Sequence, residues 1–174
     1  MKHLNPLRLV PAALGLTLLL SAFPTAADVS GKVVSVHDGD TLTVVIDRRQ
    51  MRVRLIDIDA PELRQPFGTR SRQSLSSLCY GKMASLDVRG HDRYNRTLAR
   101  VSCAGADANA EQVRRGYAWT FVRYARPDSP LFSLEKEART AHRGLWQDPY
   151  PVAPWDWRRS VRESSRASYF GAGS

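Results

Sequence analysis

Cysteine and histidine are scarce in this sequence, with two and four among 174 residues. No C-x-x-C pair and no Cys/His spacing suited to tetrahedral zinc occurs, which argues against a structural zinc site. His37, His91 and His142 are too scattered to form a metal pair or a nucleophile–base triad. No internal repeat is present, so the solenoid and propeller classes drop out. Beyond residue 27 no apolar run approaches the roughly 20 residues needed to span a membrane. Acidic residues are outnumbered, 17 Asp and Glu against 26 Lys and Arg, for a formal net charge of +9. That excess suits a polyanionic partner such as nucleic acid, although basicity for solubility alone would look the same.

The N-terminus reads as an export signal. Lys2, His3 and Arg8 make a positive start, Leu9 to Leu20 a short apolar run, and Thr25-Ala26-Ala27 a small-residue cleavage site. A membrane anchor is the competing reading, but the run is only about a dozen residues long and Pro11 interrupts it. We expect residues 1–27 to be removed, leaving a protein in the periplasm or the medium, monomeric and without stable membrane insertion. In that oxidising setting Cys79 and Cys103 should form one disulfide, with two buried thiols as the alternative. The chain from residue 28 onward is long enough for one domain with a core and too short for two.

Period-two alternation marks strands at KVVSV, at TLTVVI (41–46) and at MRVRLIDI (51–58), with Asp47-Arg48-Arg49 as a hairpin turn. A helix is expected over 68–78, ended by Tyr80-Gly81-Lys82. Strands over 83–89 and 97–102 come next, then helices over 109–115 and 130–142. The expectation is an α+β protein, a five-stranded OB-type Greek-key barrel with three helices spanning 28–150. Residues 151–174, rich in Pro, Ser and Arg, are expected to be a largely disordered tail.

Four places carry more charge than such a fold needs: Asp38 and Asp40, Arg54, Asp59 with Glu62, and the turn from Asp92 to Arg96. Asp-Gly-Asp taken alone is ordinary turn chemistry. Arg54 sits between Val53 and Leu55 and, on alternation alone, could share a solvent face with Arg52. Strict alternation also puts Arg54 and Asp59 on opposite faces, so they meet only if the strand bends between them. If they do, Asp40, Asp59 and a carbonyl near Ala60 are oxygen ligands that select a hard cation such as calcium. Two arginines could then hold a phosphodiester, and Glu62 could serve as the base for water.

In combination, DGDT (38–41), VRLIDIDAPE (53–62), DRYNRTLA (92–99) and ARTAHRGLW (138–146) resemble the staphylococcal nuclease family. The resemblance implies an endonuclease that hydrolyses DNA and RNA with Ca2+ and leaves 3′-phosphate ends. By motif position it assigns Asp40 and Asp59 to the metal, together with the Ala60 carbonyl, where the best-known member has threonine. It assigns Glu62, Arg54 and Arg96 to catalysis, and Arg93, Tyr94 and Tyr124 to substrate binding. The LRQPFG segment is shorter than the family's basic loop, so Arg64 and Arg70 stand in for part of its charge. A Cys79–Cys103 bridge, absent from that member, would tie the first helix to the barrel. The competing readings are a noncatalytic OB-fold module that binds nucleic acid, and a basic surface for acidic polymers using Arg158, Arg159, Arg162 and Arg166.

Overall fold

The computed structural model describes residues 29–171, with side chains through residue 166. The segment expected to be an export signal lies outside the described residues.

Three antiparallel strands open the chain: β1 (Val29–Val36), β2 (Thr41–Ile46) and β3 (Arg49–Leu55). Ile46 pairs with Arg49, so the β2–β3 turn is tighter than expected, with only Asp47 and Arg48 at its tip. Both take left-handed backbone angles, φ 48° and 64°, which match the twist of a two-residue hairpin. The third strand also stops short of the expected residue 58. Asp57 has φ 62°, so Ile56 and Asp57 form a bend before a two-residue strand, β4 (Ile58–Asp59). Two distant elements hold that bend. Asn109 donates Nδ2–H to the Ile56 carbonyl at 2.7 Å, and the Phe121 amide donates to the Asp57 carbonyl at 2.8 Å.

Helix α1 (Gly68–Cys79) comes next, ended at Gly81 with φ 75°. Then come β5 (Met83–His91), β6 (Thr97–Cys103), β7 (Ala106–Asp107), α2 (Ala108–Arg114), β8 (Trp119–Thr120) and α3 (Leu131–Thr140). A 3-10 turn (Gly144–Gln147) leads to α4 (Pro154–Gly171). The main sheet runs β3-β2-β1-β5-β6-β7, and a parallel pairing of β3 with β6 closes the first five strands into a barrel. The fold is thus the expected α+β barrel, with a fourth helix added.

Alternation fills the barrel from within: Val33, Leu42, Val44, Val53, Leu55, Leu86, Ala99 and Val101 are all buried. Leu75 and Leu78 of α1, Val113 of α2 and Leu131 of α3 extend the same cluster. Cys79 and Cys103 form the disulfide, with Cα atoms 5.2 Å apart across 24 positions of sequence. Closing a loop of that size contributes about 3 kcal/mol by restricting the unfolded chain.

A smaller core gathers Trp119, Ala138, Leu145, Trp146 and Ala153, with Phe67 and Trp155 against it. Arg139 stacks over both Trp146, at 3.9 Å, and Trp119, at 4.7 Å. This core corrects the expectation of a disordered tail. Trp155 packs edge-on to Trp119 and flat on Phe121, and Gln65 Nε2 donates to the Val152 carbonyl at 2.6 Å. Pro154 suits a first helical position because its missing N–H is not needed there. The helix past Arg158 is exposed through residue 166, and its packing contacts lie at its N-terminal end.

Among the described residues, no helix is long and apolar enough to cross a membrane.

Candidate active site

Asp40 lies at the entrance to β2, where local bonds fix its backbone. Its amide donates to Asp38 Oδ1 at 3.0 Å, and its carbonyl accepts from the Leu55 amide at 2.8 Å. Gly39 is demanded by packing, since a Cβ there would stand 1.8 Å from Ser71 Oγ and 2.7 Å from the Ala60 Cβ. The two aspartates of the DGD stretch therefore differ in role. Asp38 closes the turn, and Asp40 points its carboxylate inward at 6% exposure.

Three groups meet the Asp40 carboxylate. Oδ2 accepts the Ala60 amide at 2.7 Å, and Oδ1 accepts Thr41 Oγ1–H at 3.1 Å and Arg54 Nε–H at 3.1 Å. The sequence points to the Ala60 carbonyl, yet the bond Ala60 makes to this site uses its N–H. Arg54 is only 14% exposed, which rules out the solvent-face alternative. It spans the site, with Nη2 on Asp59 Oδ1 at 3.1 Å and Nη1 on the carbonyls of Leu55 and Ile58. The same guanidinium thus braces the bend and joins the two aspartates that the bend brings together.

Asp59 is 2% exposed; β4 pairs it with Trp119 of β8. Glu62 lies just past Pro61 at the rim, with its side chain 43% exposed. The structure therefore gathers Asp40, Asp59, Arg54 and Glu62. It adds a residue that sequence reasoning places in a disordered tail, Arg158 of α4, which donates to Asp59 Oδ2 at 2.7 Å and to Glu62 Oε1 at 2.9 Å. The signal available for it is Pro154 and then Asp156, a helix start with no glycine or further proline until Gly171.

The β5–β6 turn bonds its arginines to its own residues. Asp92 accepts Arg96 Nε–H at 2.7 Å as well as the amides of Tyr94 and Arg96. Arg93 and Arg96 both stack over the exposed Tyr94 ring. Tyr124, also exposed, lies edge-on to Phe121 at 5.0 Å, and Phe121 stacks on Trp155. Arg96 is thus placed by its own turn, and its bonds go to Asp92 of that turn.

Burial dominates the electrostatics. It pushes the Asp40 carboxyl up to about 7, with Asp38 adding to the rise and Arg54 and the Ala60 amide opposing it. Asp59 is raised too, by burial first, against the hydrogen bond from Arg158. For Arg158, burial works against the charge, but the bonds and charges of Asp59 and Glu62 outweigh it and hold its pKa above the ordinary range. Among the described residues no group of three or more His, Cys, Asp or Glu is arranged to hold a metal. Asp40 and Asp59 present carboxylate oxygens, the hard donor type that a divalent cation takes together with backbone carbonyls and water.

The buried carboxyl makes stability depend on pH. With its folded pKa raised from 3.8 to about 7, Asp40 keeps a proton that the unfolded chain has lost. Its contribution to stability therefore falls as pH rises through that window. The melting temperature of the wild type should therefore fall more between about pH 5 and about pH 8 than that of Asp40→Asn, which cannot titrate there. Thermal melts of both proteins in chelator at the two pH values check this; equal falls contradict it.

Comparison with known proteins places this architecture. The family model described as "Staphylococcal nuclease homologue" matches residues 52–148, a stretch that holds Arg54, Asp59, Glu62 and the β5–β6 turn. "Protein ParB" of Escherichia coli is 42% identical over 158 residues, covering 85% of this chain and 89% of that protein. "Micrococcal nuclease" of Shigella flexneri is 40% identical over 172 residues, covering 93% and 97% respectively. An "Uncharacterized endonuclease" of Escherichia coli O157:H7 is 42% identical over 145 residues, covering 82% and 94%. A model match over more than half of the chain, with identities of this size along most of its length, means that the chain belongs to the staphylococcal nuclease family.

Proposed function

We propose that this protein is an exported, calcium-dependent endonuclease that hydrolyses the phosphodiester bonds of DNA and RNA and leaves 3′-phosphate ends. The observation that carries the reading is the convergence of Arg54, Asp40 and Asp59 beside the half-exposed Glu62. Relatives whose names are nuclease and endonuclease support the same activity.

Asp40 and Asp59, with the Ala60 carbonyl and water, would hold the cation. Bound there, calcium would supply positive charge against the phosphate's non-bridging oxygens. Glu62, at the solvent rim, takes a proton from the attacking water as its oxygen bonds to phosphorus. The bond from phosphorus to the 5′ oxygen breaks, and that oxygen takes a proton from solvent water, giving a 5′-hydroxyl and a 3′-phosphate. Arg54, with Arg96 from the β5–β6 turn, offers planar N–H forks to the charge that grows on phosphorus. Arg93, Tyr94 and Tyr124 present basic and aromatic surface to the flanking nucleotides. Contacts of this kind read phosphate rather than base edges, so sequence preference is slight.

The test is cleavage of single-stranded DNA by the mature protein with calcium or with chelator. Calcium-dependent products carrying 3′-phosphate are expected. Binding without cleavage under both conditions would instead favour the noncatalytic module.

A further inference from the structure

The N-terminal part of α4 delivers a cation of its own to the acidic site. Arg158 Nη2 donates to Asp59 Oδ2 at 2.7 Å, and Nη1 reaches Asp59 Oδ1 at 3.2 Å and Glu62 Oε1 at 2.9 Å. Arg54 Nη2 already holds Asp59 Oδ1 at 3.1 Å. Both oxygens of Asp59 therefore carry guanidinium donors, and one side chain links that aspartate to the glutamate beside it. Both Nη atoms of Arg158 face carboxylates, which is the orientation of a counter-ion.

Packing seats the helix beside the site independently of the arginine's own bonds. Trp155 is seated on Trp119 and Phe121 three positions earlier, and the Val152 carbonyl is tied to Gln65. These contacts lie outside the arginine's own bonds and seat its helix beside Asp59 and Glu62. A tether of this kind gives the charged group a high effective concentration at its carboxylates.

A guanidinium and a divalent cation need the same electron pairs of Asp59, and each repels the other at contact distance. We propose that Arg158 is a tethered competitor for the divalent-cation position. It holds Asp59 and Glu62 in an ion-paired triad, and the cation must displace it. On this view α4 sets the calcium concentration at which the site becomes competent, and it frees Glu62 in the same step. The proposal rests on the calcium reading above.

The experiment is calorimetric titration of calcium into chelator-treated mature protein without nucleic acid, comparing wild type with Arg158→Ala and Arg158→Lys. Arg158→Ala should bind calcium about tenfold more tightly, the factor carried by one hydrogen bond to a charged group. Arg158→Lys, a point charge without the fork, should fall between. Thermal melts check folding and carry a second signature: Arg158→Ala melts below wild type in chelator, and the gap closes at saturating calcium. Equal or weaker calcium binding by Arg158→Ala, with wild type binding normally, overturns the proposal and leaves the calcium reading standing. No calcium binding by any of the three removes both.

Discussion

Glu62→Gln is expected to lower kcat by a factor of about 10² to 10⁴, the range supplied by a positioned proton-transfer group. The substitution keeps shape and removes only the ability to accept a proton from water. The fold should not change. The Glu62 side chain is 43% exposed, and its amide, which donates to Gln65 Oε1 at 3.2 Å, is untouched. Arg158 keeps a neutral acceptor in place of a charged one. Single-turnover cleavage at saturating calcium, with circular dichroism to confirm the fold, measures the effect. A variant retaining more than about a tenth of wild-type kcat would remove Glu62 from the role of base.

Arg54→Met should be damaging in two ways at once. Methionine preserves much of the apolar stem and deletes the guanidinium that bonds Asp40, Asp59 and the Ile58 carbonyl. Both aspartates are nearly inaccessible, with side chains 8% and 3% exposed. Above about pH 7, where Asp40 is ionised, removing one partner of a buried ion pair costs about 3–5 kcal/mol, and removing a donor aimed at developing charge costs about 10² to 10³ in kcat. The two effects separate experimentally. Urea denaturation in chelator reads the first, and cleavage at a temperature where the variant stays folded reads the second. Calcium should recover part of the stability, because it brings positive charge back to the same carboxylates, but not the rate. Recovery of the rate as well would mean that Arg54 only braces the fold.

Much of the barrel was legible because its signal is local. Alternation over 41–46 and 51–55 matches the observed inward set of Leu42, Val44, Val53 and Leu55, and Gly81 breaks α1 where glycine should. The members of the acidic site were legible as charges that the barrel does not need. Their meeting was not. Alternation puts Arg54 and Asp59 on opposite faces, and the bend that reunites them has a non-glycine residue, Asp57, at positive φ, held by Asn109 and Phe121 from far along the chain. Long-range contacts of this kind leave no mark in a local pattern. The same holds for α4, whose Ser- and Arg-rich composition reads as a solvated tail and whose order comes from Trp155 and Arg158 seating on distant residues. Arg96 shows the converse, since Asp92, four positions away, fixes it within its own turn.

The second core has an optical consequence. All four tryptophans of the chain, Trp119, Trp146, Trp155 and Trp157, lie in or beside it, and two of them ride on the first turn of α4. None lies on the five strands that close the barrel. Emission excited in the red edge of the near-ultraviolet band therefore comes from the seat of this helix alone, and its wavelength reports whether the helix is docked while the barrel stays dark.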